Sequence, residues 1–366
     1  MLEGMNTYVT RTYRRRFLAA TASALALAHT LTNTPETEAS TIVTWGAEGD
    51  GPGEFQSPIG VAIAPDGTIL VLDAGDGRVQ RLAPDGSPLG SFGSLGSSPG
   101  QFDRPSGIAV DADGAVYVSE AGGARRVQRM SPDGSVIAAW PAPGVRANFD
   151  PEEMVGGGMT AGMLLTGPTG IAVTSDGTMM TTWCYFSNGG IRVLEAWIVR
   201  QAPDGTVIDK PSVRGYGRDS SPVASGIAVA ATGRIAVVGP NSYDGDATVE
   251  LQGGGKPVTA FGTYGTDAGE MVAPTGVAFA PDGTVWVTDR ALNRVMHFSV
   301  TGEVIGSVGR LCQTQCPDPH DYRALDLATS GHRPGEFLSP SGIAVAPDGV
   351  VYVADAGNHR IQRIVA

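Results

Sequence analysis

The groups in this 366-residue chain able to ligate a metal, move a proton or attack a carbonyl are few: five histidines, three cysteines and a set of regularly spaced acids. His29 falls in the N-terminal signal and linker region, which leaves His297, His320, His332 and His359. A catalytic zinc site needs about three convergent protein ligands. Only His320 and His332, with Asp318 or Asp321, share a stretch from which a loop site could be assembled. Cys312 and Cys316 are too far apart for Cys-x-x-Cys redox chemistry, and their spacing suits a small disulfide loop outside the cytoplasm. Cys184 reads as a buried thiol at a strand end. There is no Gly-x-Ser-x-Gly elbow and no phosphate loop.

The acids carry more pattern. Asp73, Glu120, Asp289 and Asp355 are each followed five residues later by Arg78, Arg125, Arg294 and Arg360. They could form an arc that holds a cation, or each could pair with the arginine of its own unit. At the two equivalent places where the acid is lost, to Trp183 and Gly239, the arginine is lost as well, to Asn188 and Asp244. Joint loss favours pairing.

These groups sit on a repeated scaffold. Pro340-Ser-Gly-Ile-Ala-Val, Pro347-Asp-Gly, Val351-Tyr-Val-Ala-Asp and Arg360-Ile-Gln-Arg-Ile are short β-branched runs separated by turn residues. The string recurs around Gly60, Gly107, Gly170, Gly226, Gly276 and Gly342, at steps of 47, 63, 56, 50 and 66 residues. Six copies of this length, each able to form one small sheet, predict an all-β, six-bladed β-propeller. The last copy stops after three strands, whereas Thr41-Ile-Val-Thr-Trp45 stands alone and matches the fourth strand of other copies. Residues 41–45 are therefore expected to complete the final blade and remove its free edge.

The run Pro340 to Ile364, with Asn358-His359-Arg360 near its end, resembles the NHL repeat, over about residues 42–366. The resemblance implies a six-bladed propeller of NHL type, although no copy spells Asn-His-Leu. One family resembled, the peptide α-amidating lyases, holds zinc with histidines near the start of inner strands. The matching residues here are Pro58, Pro105, Pro168, Ala224, Pro274 and Pro340. A second echo, of streptogramin lyases, lies in Val277 to Asp289, without a visible His/Glu acid–base pair. No cofactor is predicted; calcium or zinc is what a cation arc or a lyase site would hold.

Residues 1–28 read as an export signal: Arg14-Arg15-Arg16-Phe17-Leu18 precedes an apolar stretch too short to span a bilayer, with Ala26-Leu27-Ala28 as a cleavage site. The order resembles a twin-arginine signal, the plainer alternative being a general secretory one. Residues 29–40 form a linker, and residues 41–366 the propeller. The mature chain is expected in the periplasm, at the cell wall or outside the cell. Without residues 1–28 it would carry 21 basic against 36 acidic residues, a net charge of −15. That charge weighs against nucleic acid as a partner.

Alternating strands place the tight Pro-Asp-Gly turns on one face, the turn face, and the longer connections on the other, the loop face. Pro141–Thr166, Tyr185–Gly190, Val213–Ser221, Pro240–Asp246 and Arg310–Arg333 all fall on the loop face. Long loops on a rigid scaffold are where binding usually resides. Trp183, Tyr185, Asn188, Tyr243, Asp244, Arg290 and His359 are the candidate ligand-binding residues at that mouth. The expected role is a binding or interaction scaffold for a protein, peptide or glycan. The alternative is a metal-dependent lyase or hydrolase at the same mouth.

Overall fold

A computed structural model describes residues 41–123, 125–141, 164–165, 168–186, 193–210, 225–239, 248–253, 256–309 and 331–365. Residues 1–40, read above as signal and linker, Asn188, Tyr243, Asp244, Cys312, Cys316, His320 and the side chains of Cys184 and Tyr185 lie outside the described residues.

Six antiparallel sheets surround an axis. Named a to d from the axis outward, blade 1 is Pro58–Ile63, Ile69–Asp73, Arg78–Leu82 and Pro88–Phe92. Blade 2 is Pro105–Val110, Val116–Glu120, Arg126–Met130 and Val136–Pro141. Blade 3 is Gly170–Val173, Met179–Phe186, Val193–Gln201 and Val207–Asp209, with Leu164–Leu165 as a fifth, short strand. Blade 4 is Gly226–Val229, Ile235–Gly239, Thr248–Gly253 and Lys256–Phe261. Blade 5 is Pro274–Phe279, Val285–Asp289, Arg294–Phe298 and Val304–Gly309. Blade 6 is Pro340–Val345, Val351–Asp355 and Arg360–Val365, and Thr41–Trp45 is its fourth strand, running from Thr41 opposite Val365 to Trp45 opposite Ile361.

Strand b is buried along its whole length in blades 1, 2, 5 and 6, because both of its faces meet a neighbouring blade. Its residues are therefore Val, Ile, Leu and Tyr in near-continuous runs rather than an alternating pattern. Apolar clusters fill the wedges between consecutive sheets, and one of them joins blade 1 to blade 6 through Val61, Ile69, Val71, Tyr352 and Ile361. The a strands of consecutive blades, including the sixth and the first, lie side by side around the axis.

The repeated glycine in strand a is explained by space, not by turn geometry. A Cβ on Gly342 would lie 2.6 Å from the Gly60 Cα, and one on Gly276 would lie 2.3 Å from the Ser341 carbonyl oxygen. Neighbouring inner strands touch there, and no side chain fits. Further out, the aromatic ending Thr41–Trp45 rests on Gly86 of blade 1, where a Cβ would meet the indole at 2.5 Å. Trp45 also packs against Tyr352, with ring centroids 5.7 Å apart.

In blade 5 the cross-strand pair Trp286 and His297 stacks at 4.1 Å, and His297 Nε2 bonds the Thr284 hydroxyl at 2.7 Å. Burial holds this imidazole below its ordinary value of 6.5, with Asp282 pulling weakly the other way. The unfolded chain therefore takes up a proton on His297 at a pH where the folded chain does not.

Two outcomes follow for stability. Deleting residues 41–45 should lower the melting temperature sharply, and Trp45→Ala alone should cost about 3 kcal/mol in denaturant titration; an unchanged melt of the deletion would reject closure of the ring by this strand. As pH falls from about 7 to about 5, His297 should withdraw stability, so His297→Phe should flatten that part of a melting-temperature profile relative to the wild type.

Candidate functional site

On the loop face the connection into each blade is held by residues of that same blade. Asp73, buried at the end of strand b, accepts the N–H groups of Gln56 and Ser57. Arg78 lies 3.6 Å from Asp73 and donates to the carbonyls of Asp50 and Glu54, while Gln80 bonds the Gly53 N–H and the Glu54 carbonyl. Blade 6 repeats the arrangement. Arg360 Nε is 2.8 Å from Asp355 and its guanidinium reaches the carbonyls of His332, Arg333 and Glu336, while Gln362 bonds the Gly335 N–H and the Glu336 carbonyl. In blade 5 Asp289 accepts from Val272, Ala273 and Leu292, and Arg294 holds the carbonyls of Thr266, Asp267 and Glu270. Each clamped loop ends in a fully buried apolar plug: Phe55, Phe102, Met271 or Phe337.

Blade 2 corrects the sequence expectation by one residue. Glu120 takes Arg126 Nε at 2.7 Å, not Arg125. The b–c loop is one residue longer there, and Arg125, at a φ of 39°, occupies the left-handed place that Gly77 fills in blade 1. Strand register corrects two more equivalences. Trp197 stands opposite Trp183 and Thr248 opposite Gly239, where Arg78 stands opposite Asp73. Asn188 and Asp244 are therefore not the residues that replace the arginine.

The clamps bury charge, and the titration directions reflect it. Burial pushes the Asp73 carboxyl up against the pull of the Ser57 and Gln56 N–H groups. Burial likewise pushes Asp289 up and Arg294 down, each resisted by the other's charge. Every one of the four acids is committed to loop N–H groups or to a guanidinium. Their oxygens are turned into the fold, not gathered around a common ion.

The candidate binding residues separate in space. The Trp183 indole is 1% exposed and donates from Nε1 to Thr181 at 2.8 Å, so it is an interior side chain. His359, at a φ of 53°, bonds the Gln56 carbonyl through Nδ1 at 2.7 Å and ties blade 6 to the loop entering blade 1. Asn293 does the same between blades 5 and 6, accepting the Ser339 N–H at 2.6 Å. Arg290 is exposed on the b–c loop of blade 5.

The departure from six-fold likeness is in blade 3. Its strands b and c do not stop at the Trp183–Trp197 pair; they continue through Cys184–Ala196 and Tyr185–Glu195 to Phe186–Val193. Leu164 and Leu165 pair with Phe186 and Tyr185 on the edge of strand b away from strand c, the edge that strand a also uses. Tyr185 was expected in a loop and instead stands in a hairpin that rises from the loop face.

Between the blades, the axis narrows at the loop-face end to a throat of about 230 Å³, lined by the glycines and the residues beside them. Five of those neighbours carry hydroxyls: Ser106, Thr169, Ser225, Thr275 and Ser341. The Ser106 hydroxyl donates to the Pro168 carbonyl, Thr275 to Pro340 at 3.2 Å and Ser341 to Ile59 at 3.0 Å. These are stitches from one blade to the next. Among the described residues no three His, Cys, Asp or Glu side chains are grouped to hold a metal ion.

Residues 55–82 and 337–364 match the NHL repeat. Each match runs from the apolar plug to the end of strand c and contains a complete acid–arginine–glutamine clamp. Teneurin-3 of Mus musculus is 24% identical over 97 residues, and Teneurin-m of Drosophila melanogaster 27% over 124. The chain spans about 4% of the length of these curated relatives, and the matches cover 26% and 31% of it. Among solved structures, a streptogramin B lyase superposes with a TM-score of 0.51 at 15% identity, covering 89% of this chain and 97% of that one. Virginiamycin B lyase from Staphylococcus aureus gives 0.54 at 12%, covering 89% and 99%. Likeness at this identity is likeness of fold.

Arg126→Ala should destabilise the chain by about 3 kcal/mol, because it leaves the Glu120 carboxylate buried. Arg125→Ala should cost less than about 1 kcal/mol. Equal losses in urea titration would overturn the register given for blade 2.

Proposed function

Starting from NHL repeats on a six-bladed β-propeller, we propose that the chain is a binding scaffold whose loop face recognises a protein, peptide or glycan. The observation that carries this reading is the asymmetry of that face. Among the described residues four connections are clamped by their own blade, and strand register puts Trp183–Trp197 and Gly239–Thr248 in blades 3 and 4 where the acid–arginine pair stands in the others. Blade 3 also projects an extended hairpin. A rigid ring with one raised element suits recognition of an extended surface. Fold likeness to lyases supports the architecture and leaves the chemistry open, since one fold hosts many activities.

On this reading Arg290, at the rim of blade 5, and Tyr185, on the blade 3 hairpin, are contact residues. The clamps keep the mouth in one shape so that little ordering accompanies binding. Reading residues 1–28 as an export signal, the partner is met outside the cytoplasm.

Peptide and glycan arrays probed with the folded chain test the proposal. Arg290→Glu and Tyr185→Ser should each weaken the strongest hits about tenfold or more, as for central contacts of an interface. Asp85→Lys and Asp204→Lys, on the turn face, should leave them unchanged. Hits indifferent to the loop-face variants would reject the assignment. Stoichiometric zinc or calcium in the purified protein, together with turnover of a lyase substrate, would replace it with the metal-dependent alternative.

A further inference from the structure

The axial channel is not symmetric end to end. Past the glycine throat it widens toward the turn face into a cavity of about 630 Å³. Blades 1, 2, 3, 4 and 6 contribute its walls, chiefly through Ile63, Ala64, Val110, Val173, Val229 and Ala346, and Tyr352 also lines it. Its size falls within the range of about 300–1,000 Å³ usual for small-molecule sites, and its lining is mainly apolar, as such sites require.

The rim is mainly acidic. The a–b turns that surround the opening hold Asp66, Asp113, Asp176 and Asp348, and Asp348 itself lines the cavity. Asp66, Asp176 and Asp348 accept the N–H of the residue two places on, at 2.9, 3.0 and 3.1 Å. Those bonds engage Oδ1 in each case. The Thr68 N–H holds the Asp66 carboxyl below the usual carboxylate range, and the Thr174 hydroxyl does the same for Asp176. Asp111 also lines the cavity, but its carboxylate is committed to Arg129 at 3.1 Å, the Tyr117 hydroxyl at 3.0 Å and the Ala115 N–H at 2.8 Å. Burial, seconded by Asp111, pushes that phenol up to about 12, so it stays a donor. Basic residues also stand at this end: Arg234 follows the a–b turn of blade 4, and the charge of Arg81 reaches Asp66.

We propose that this turn-face cavity is a binding site for a compact apolar molecule carrying one positive charge, the apolar body lying among the inner-strand side chains and the cationic group facing the aspartate rim. The apolar wall alone would accept a neutral or an anionic molecule of the same shape equally well. The rim separates them, because like charge at the opening of a low-dielectric cavity repels and opposite charge is held. The site lies at the opposite end of the axis from the loop face and is independent of the function proposed there.

Calorimetry with tetraphenylphosphonium and its near-isosteric anion tetraphenylborate tests the assignment on the intact chain. The cation should bind at least about tenfold more tightly than the anion, and more weakly as salt is raised. The triple variant Asp66→Asn, Asp176→Asn, Asp348→Asn keeps each Oδ1 acceptor and should keep the wild-type melting temperature. It should lose about tenfold in cation affinity. Ala230→Phe, which narrows the cavity, should abolish binding of both ions. Equal affinity for the two ions, undiminished cation binding in the triple variant, or no heat with the cation up to millimolar concentration would each overturn the proposal.

Discussion

Everything in this fold depends on how closely six strands can approach one another around an axis. At Gly342 and Gly60 two backbones from opposite ends of the chain come within the space a single methyl group would need. That contact allows six wedges to close into a ring, and it leaves the throat too narrow for side chains. The hydroxyls of Ser106, Thr275 and Ser341 then take the remaining polar role at the same level, each bonding a carbonyl of the next blade. The narrowest part of the axis is thus a structural seam. What chemistry the axis offers lies to either side of it.

The buried charges belong to the same economy of space. An unpaired carboxylate in a site as enclosed as that of Asp289 or Asp355 would be costly. Here Asp289 receives three loop N–H groups and feels the charge of Arg294, and Asp355 receives a loop N–H on one side and the Arg360 guanidinium from the adjacent strand on the other. The arginine in turn satisfies carbonyls of a loop that has no regular structure of its own. A surface connection is thereby fixed by groups inside the blade, and the loop face inherits the rigidity of the core where the clamp is present.

Much of this was legible in the residues. The glycine spacing and the unaccompanied strand 41–45 were sufficient for the blade count and for the closing strand, because a four-stranded sheet missing one strand has a single vacancy. The acid and arginine were recognisable as partners because they disappear together. Their numbering was less secure: five residues separate the pair in blades 1, 5 and 6, and one added residue in blade 2 moves the partner from Arg125 to Arg126. Spacing reports a pairing only while the intervening turn keeps its length. The glutamine two places beyond the arginine, at Gln80, Gln128 and Gln362, repeats in three of the four clamped blades, Met296 standing in its place in blade 5. The Gly-Glu-Phe, Gly-Gln-Phe or Gly-Glu-Met that delivers each apolar plug recurs in all four clamped blades. The hairpin of blade 3 was hidden for a different reason. Its strands continue through Cys184, Tyr185 and Phe186, residues equally at home in a loop that packs aromatics, and only cross-strand register distinguishes the two. The wide end of the axis could not be read at all, since it is formed by small apolar residues that look the same in a filled core and in an open one.

Thr41 is hydrogen-bonded beside Val365, and the Ser341 side chain reaches a carbonyl 282 positions earlier. Contacts across such separations close the longest loops within the propeller and must wait for nearly all of its strands to exist. During synthesis the five-residue opening strand therefore has no partner until the final strand has emerged from the ribosome. Until then the inner edge of blade 1 and the outer strand of blade 6 lack their partners, and the latest strands of the propeller are the ones that make it a circle.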